Sequence, residues 1–165
     1  MLRLVVVPVL VLLIAPSIAL ARDGTGVVIE DYGVYETRAD KRVPHPNSAT
    51  GEMNIISHLR FLRKAQTISA QLGRSFGWRY RLKGVPDNAR ITFRTVHPPI
   101  TNPETGQTKT SSWRTITVKK PANLRYTGYT FDYSWELAEG RWSFQVLYGG
   151  KIIGERAFNI VIPLN

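Results

Sequence analysis

The stretch "GRWSFQVLYGGKIIGERAFNIV", residues 140–161, decides the fold class of this chain. Its first half has an apolar residue at every second position, which is the pattern of a strand with one buried face. Gly149-Gly150 interrupts this pattern, and a second apolar series follows. The two series are Trp142, Phe144, Val146 and Tyr148, and then Ile152, Phe158, Ile160 and Ile162. Two such strands separated by a glycine turn predict a β-hairpin.

The length of the turn in this hairpin determines which side chains share a face. A two-residue Gly-Gly turn would pair Trp142 with Ala157, and it would place Phe158 on the face opposite Trp142. A turn of odd length, with a glycine at positive φ ahead of a bulge, brings both apolar series to one face. The sequence therefore predicts three residues in the turn.

The N-terminal segment, residues 1–21, has the pattern of a signal peptide. Arg3 precedes an apolar run, and Ala19-Leu20-Ala21 has the small-x-small arrangement that a signal peptidase accepts. We expect cleavage after Ala21, a mature domain of residues 22–165 without a transmembrane segment, and a periplasmic or secreted location. A retained anchor is the alternative, because the apolar segment is about long enough to cross a bilayer.

The composition indicates one basic domain without covalent cross-links. The chain has no cysteine, so disulfides and a lipid-modified N-terminus are excluded. Residues 22–165 fall within the usual length of a single domain that buries its own core. The formal net charge is +10, and loss of the leader removes only Arg3 from the basic residues. Such a charge favours anionic partners.

The remaining chain predicts more strands and almost no helix. The predicted strands before the hairpin are 26–36, 76–84, 89–96, 113–120 and 124–136, and the predicted long loops are 37–53 and 97–111. Residues 54–72 fit either a helix or two extended pieces, and the flanking strands favour the extended form. Seven or eight strands with frequent turn signals predict an antiparallel β-sandwich of immunoglobulin-like type.

Alternation within these strands predicts which residues are buried. In 76–84 and 89–96 the aromatic and aliphatic residues share one face and the basic residues share the other. In 124–136 the aromatic residues alternate with polar ones, so Asp132 and Glu136 are predicted to face solvent. Trp113, which follows a polar loop, is predicted at a rim. The expected buried residues are Phe76, Trp78, Tyr80, Leu82, Ile91, Phe93, Tyr129, Phe131, Tyr133 and Trp135.

Three segments together resemble a known family. They are "DYGVYE" at 31–36, "TISAQLGRSFGWRYRLKG" at 67–84, and "YTFDYSWELAEGRWSFQVLYGGKIIGERAF" at 129–158. This order resembles a small family of exported bacterial proteins known only as a domain of unknown function, with an immunoglobulin-like sandwich. The resemblance covers nearly the whole mature chain, and its most specific part is G-x-W-x-F with the glycine turn and E-x-x-F. It implies the fold and brings no catalytic or binding residue with it.

Patterns typical of cofactor or metal sites are not found in the sequence. The three histidines, His45, His58 and His97, lack the spacing of a helical zinc site, and we expect His45 and His97 to be solvated loop residues. There is no Gly-x-Ser-x-Gly elbow and no phosphate-binding glycine loop before a helix. The sequence therefore predicts neither a cofactor nor a metal.

The basic residues are the clearest functional signal in the sequence. Two neighbouring strands carry them on their polar faces: Arg79, Arg81 and Lys83 on the first, and Arg90 and Arg94 on the second. If these strands pair in one sheet, the five cations form a stripe that binds a polyanion, extended by Arg114 or Lys119. The alternative is a charged face that maintains solubility.

These observations favour a non-enzymatic binding module of the bacterial envelope. Its expected partner is a protein bound through sheet edges and loops, or an anionic polymer or lipid headgroup bound through the basic face. We expect no specific nucleic-acid partner, and the sequence does not predict the oligomeric state. The competing hypothesis is a hydrolase whose site is formed by the two long loops, with His45, His97 and nearby carboxylates.

Overall fold

The structure, a computed structural model, describes residues 24–163, so the predicted leader and its cleavage site lie outside the described residues. Within residues 24–163 the chain forms nine strands and one short 3-10 helix, Ser134–Glu136. The strands are β1 Gly26–Pro44, β2 Glu52–Lys64, β3 Thr67–Ser69, β4 Ser75–Lys83, β5 Ala89–Thr101, β6 Thr108–Val118, β7 Arg125–Thr130, β8 Gly140–Tyr148 and β9 Lys151–Val161. The strand number is one higher than the predicted upper limit, because residues 54–72 form two strands.

The strands belong to two sheets that pack face to face. The first sheet has the order β2-β1-β4-β7, and all its pairs are antiparallel. The second has the order β3-β9-β8-β5-β6, and its pairs are antiparallel except β3 with β9. The predicted all-β sandwich is confirmed.

Aromatic side chains from both sheets fill the core. Phe76 of β4 packs against Trp142 of β8 and Phe158 of β9, with ring centroids 5.7 and 5.5 Å apart. Edge-to-face pairs of this kind contribute about 0.5–1.5 kcal/mol beyond the burial of their area. The predicted inward faces of β4, β5 and β8 are confirmed, since the fully buried side chains include Phe76, Trp78, Tyr80, Ile91, Trp142 and Phe144.

The closing hairpin places its two apolar series on one face, but it does so through a bulge and not through the predicted three-residue turn. The turn has two residues, Gly149-Gly150, both at positive φ, so the prediction of a three-residue turn is wrong. The extra residue is Ile153, which forms a bulge inside β9. The bulge changes the register by one, and Trp142 therefore pairs with Phe158.

The two predicted long loops are mostly strand. β1 and β2 extend through most of 37–53 and leave a turn at 45–51, while β5 and β6 leave a turn at 102–107. These strands carry few buried side chains and are defined by backbone pairing, so the apolar alternation used for the prediction is weak there.

The segment after β7 also differs from the prediction. β7 ends at Thr130, and the chain then turns into the 3-10 helix, so the period-two pattern no longer applies beyond that point. Glu136, predicted to face solvent, is 1% exposed. Tyr133 and Trp135 are half-buried and stack on each other with centroids 5.3 Å apart.

The far part of the β1–β2 hairpin, residues 36–60, forms a two-stranded extension that we call the arm. β1 pairs with β4 only as far as Tyr35, so the arm continues beyond the first sheet. Its tip reaches the second sheet, where Ala49 N–H donates to Ser112 Oγ at 3.1 Å and Lys109 Nζ donates to the Ser48 carbonyl at 2.8 Å. The arm therefore crosses the open side of the sandwich from one sheet to the other.

Candidate functional site

A groove of about 460 Å³ lies between the arm, β6 and β7. Its lining includes consecutive residues of three strands: 53–59 of β2, 112–114 of β6 and 126–130 of β7. Because successive side chains of a strand point to opposite faces, a run of consecutive lining residues means that the strand presents its edge to the groove.

Each of these three strands is the terminal strand of its sheet. β2 and β7 are the two ends of the first sheet, and β6 is one end of the second. Among residues 24–163, each pairs with a single neighbouring strand, so one row of its backbone N–H and C=O groups is left without a strand partner. The groove is thus bounded by three sheet edges.

Apolar side chains line part of the groove. Phe93 of β5 is buried at its base, and Ile55 and Ile56 of the arm are partly exposed on its wall. Trp113 is 47% exposed, which agrees with its predicted position at a rim. A ligand in the groove would therefore cover apolar surface as well as strand edges.

Arg114 contributes a cation to the base of the groove. It pairs directly with Phe93 across β5 and β6, so both side chains point to the core side of the sheet, and its guanidinium lies 5.3 Å from the Phe93 ring centroid. Burial lowers the pKa of Arg114, and interaction with Tyr80 opposes this effect. Among the residues described, 24–163, no acceptor or carboxylate pairs with this guanidinium. Arg114 is therefore equipped to bind an anion.

The acidic residue Asp132 at the groove is already paired. It accepts a hydrogen bond from Asn54 Nδ2 at 2.7 Å and lies 3.5 Å from the Arg42 guanidinium. Arg42 also lies 3.9 Å from Glu52 and donates to the Tyr133 hydroxyl at 2.7 Å. This cluster joins the arm to the segment after β7, and it closes one end of the groove.

Glu136 is a buried structural carboxylate rather than the solvated acid that the alternation predicts. It accepts hydrogen bonds from the Tyr129 hydroxyl and from the backbone N–H groups of Asp132 and Tyr133, at 2.7 and 2.8 Å for the last two. Burial raises the pKa of Glu136, and these three donors oppose the rise. The carboxylate fixes the turn that follows β7.

The two histidines of the hydrolase hypothesis do not meet. His45 lies in the arm tip and lines the groove. His97 belongs to β5 and is 3% exposed, so the prediction that it is a solvated loop residue is wrong. Its ring stacks on Trp142 with centroids 5.0 Å apart, its Nδ1 lies 2.8 Å from the Pro98 carbonyl oxygen, and burial lowers its pKa.

The residues that the structure describes also contain no metal-binding cluster. Within 24–163, no group of three or more His, Cys, Asp and Glu side chains is placed to hold a metal ion. The features of the groove that can contact a ligand include its strand edges, its apolar wall and Arg114.

The predicted basic stripe is divided between the two sheets. Arg79, Arg81 and Lys83 are on β4 of the first sheet, whereas Arg90 and Arg94 are on β5 of the second. The condition that these strands pair in one sheet is not met, because the connection 84–88 carries the chain across the sandwich. The five cations therefore do not share one face.

Several of these cations already have hydrogen-bond partners within the protein. Arg79 Nε donates to both carboxylate oxygens of Asp31 at 3.0 Å. Arg94 Nε donates to Gln145 Oε1 at 2.7 Å. Arg81 donates to a backbone carbonyl at 3.1 Å, while Lys83 and Arg90 are exposed. These five residues therefore do not present one continuous basic surface.

The distribution of basic residues in the sequence marks Arg114 only as an extension of the predicted stripe. The alternation of β6 indicates the position of Arg114 more directly. Arg114 lies on the same face of the strand as Ser112, Ile116 and Val118, so it is an arginine on an otherwise mostly apolar face. The groove itself carries no sequence signal, since it depends on the arm reaching the second sheet.

Comparisons with known proteins place the chain in a family. Residues 26–160 match the family described as "Domain of unknown function (DUF3859)". The chain belongs to this family. Among proteins with curated descriptions, none matches this DUF3859 chain.

A solved structure has the same fold as this DUF3859 chain. It is an immunoglobulin-like protein from Pseudomonas aeruginosa, with a TM-score of 0.60 and 21% sequence identity. The match covers 82% of this chain and 96% of the Pseudomonas protein, and it confirms the predicted immunoglobulin-like sandwich. Within residues 24–163 of the DUF3859 chain, no helix has the length and apolar character needed to cross a membrane.

Proposed function

We propose that this chain is a non-enzymatic binding module of the bacterial envelope, and that its ligand site is the groove between the arm, β6 and β7. The observation that carries the proposal is the meeting of three sheet edges with Arg114, a cation without an acidic partner among the described residues. Strand edges bind other extended chains through backbone hydrogen bonds. The expected ligand is therefore a protein partner.

The state of the polar groups in the groove supports binding over hydrolysis. A hydrolase needs a nucleophile or water held beside a base. Asp132 is paired with Arg42 and Asn54, and Glu136 accepts three hydrogen bonds. His45 lines the groove together with His58, whereas His97, the second histidine of the hydrolase hypothesis, does not line it.

The envelope location rests on the leader pattern of residues 1–21. We expect the exported protein to begin at Arg22. Mass measurement of the protein recovered from a periplasmic or secreted fraction tests this expectation, and retention of residues 1–21 would contradict it.

Site-specific cross-linking tests the proposed site. A photoreactive amino acid replaces either Trp113 at the groove rim or Ile152 on β9, and both wild-type side chains are 47% exposed. Each variant is irradiated in an envelope fraction of the source organism. We expect one defined protein adduct from position 113 and none from position 152. The same adducts from both positions, or no adduct from position 113, would overturn the proposal.

A further inference from the structure

We propose that the groove binds an extended peptide segment that pairs with the free edge of β7, and that Arg114 binds an acidic side chain of this segment. The inference rests on the proposed function, and it names the ligand class: a β-strand with a carboxylate on its inward face.

The position of β7 supports strand pairing. β7 pairs with β4 on one side, and among residues 24–163 its other edge has no backbone partner. The five residues 126–130 all line the groove, and so do residues 53–59 of β2, the opposite end of the same sheet. A strand added to the edge of β7 would therefore lie between β7 and the part of β2 that belongs to the arm.

The lengths of these edges favour a peptide over a small molecule. Five residues of an extended strand span about 16 Å at about 3.3 Å per residue. Partly exposed Ile55 and Trp113 lie along the groove, where alternate side chains of an added strand would cover them. A small carboxylic acid would leave most of both edges unpaired.

The interior of the sandwich supports the acidic side chain. Thr127 of β7 and Arg114 of the opposing sheet both line the groove, and the Tyr80 hydroxyl lies 2.9 Å from Thr127 Oγ1. Burial raises the pKa of Tyr80 to about 12, and the charge of Arg114 opposes the rise. A side chain that points inward from a strand beside Thr127 would meet this guanidinium.

Charge and geometry make a carboxylate the matching group. The guanidinium is planar and presents several N–H donors that match a carboxylate in a two-bond arrangement. The groove acids Glu52, Asp132 and Glu136 have other partners, so the charge of Arg114 is available to a ligand. A half-buried cation is stabilised by an anion that replaces its lost hydration.

The experiment uses end-blocked synthetic peptides, Thr-Val-Thr-X-Thr-Val-Thr, in which X is Glu, Gln or Lys. Binding to the purified protein is measured by titration calorimetry. Hydrogen exchange of the backbone amides of 126–130 shows whether the peptide pairs with β7. Dodecanoate serves as the probe for a free carboxylic acid without a peptide backbone.

We expect the Glu peptide to bind at least about tenfold more tightly than the Gln and Lys peptides, because a hydrogen bond between charged groups is worth at least about 1.4 kcal/mol. It should also slow exchange at 126–130. Arg114→Gln should remove the preference for Glu over Gln, and Arg114→Glu should give a preference for Lys. Arg90→Gln, a matched change of an exposed arginine, should leave the preference intact.

Equal binding of the three peptides, or a Glu preference that survives Arg114→Gln, would overturn the assignment of Arg114. Binding of dodecanoate alone, without slower exchange at 126–130, would show a site for free carboxylic acids and overturn the strand proposal. A groove adduct at position 113 without any peptide preference would overturn this inference and leave the proposed function standing. The unfolding midpoint of each variant verifies that it is folded.

Discussion

The guanidinium of Arg42 lies 3.5 Å from the carboxylate of Asp132, and this ion pair joins the arm to the segment after β7. Asn54, on the other strand of the arm, binds the same carboxylate. An isolated two-stranded ribbon is marginally stable in water, so the position of the arm depends on such contacts. Asp132 therefore helps to fix the shape of the groove, together with the contacts of the arm tip.

Asp132→Ala should release the arm while the core stays folded. Because the Arg42 side chain is 44% exposed, we expect a loss of only about 1 kcal/mol in unfolding free energy. Hydrogen exchange at 38–44 and 52–58 should become faster, with no change in β8. The control is Arg60→Ala, which removes an exposed ion pair with Glu36 within the arm itself. Equal protection of the arm in both variants would show that Asp132 does not hold it.

Trp142→Ala should destabilise the fold by about 3–5 kcal/mol, because it leaves a large cavity next to Phe76 and Phe158. It also removes the hydrogen bond from Trp142 Nε1 to the Ala138 carbonyl at 3.0 Å. Trp113→Ala, the matched change of an exposed tryptophan, should stay within about 0.5 kcal/mol of wild type. Urea unfolding measures both, and similar midpoints for the two variants would contradict the assignment of the core.

His97 should make the fold sensitive to mild acid. Its pKa is lowered by burial, so the unfolded chain takes up a proton at a higher pH than the folded chain. The stability contributed by neutral His97 is present above about pH 6.5, and it is lost as the pH falls through the folded-state pKa.

His97→Phe should keep the stacking on Trp142 and remove this part of the pH dependence. The unfolding free energy of wild type and variant is measured by urea titration between pH 7 and pH 5. His45→Phe serves as the control, since His45 is only half-buried in a turn. Parallel pH profiles for wild type and His97→Phe would show that His97 does not titrate with folding.

Arg79→Gln should cost about 1–3 kcal/mol, because it leaves Asp31 partly buried without its charged partner. The Asp31 carboxylate also accepts a hydrogen bond from the hydroxyl of buried Tyr35. Removal of Arg79 therefore also disturbs the surroundings of this tyrosine. Arg90→Gln, on the exposed side of β5, should be neutral within about 0.5 kcal/mol. Equal midpoints in urea would mean that Arg79 is as dispensable as a surface cation.

The strands that the sequence predicts well are those with an aromatic or aliphatic residue at every second position. In β4 and β8 all of these residues except the half-buried Tyr148 are buried against the other sheet. The closing hairpin shows the limit of this reasoning. The two apolar series share one face only if the hairpin contains one extra residue, and this prediction is correct. The alternation does not show whether the extra residue lies in a longer turn or, as found, in a bulge at Ile153.

The alternation of apolar residues does not predict the arm or the groove. The arm strands expose most of their side chains and are held by backbone pairing and a few polar contacts with distant segments. Glu136 is buried because the chain leaves the extended form after Thr130, a change that the alternation does not record. The five basic residues do not form one stripe, because the connection 84–88 crosses between the sheets and the condition that β4 and β5 pair is not met.

The arm also bears on the colloidal behaviour of the protein at high concentration. An uncovered strand edge is a template for pairing with other copies, and long uncovered edges lead to aggregation. In the part of the chain that the structure describes, the arm lies across the open side of the sandwich beside β6 and β7. The arm therefore hinders the approach of another copy's sheet to the edge of β7, which disfavours edge-to-edge polymerisation.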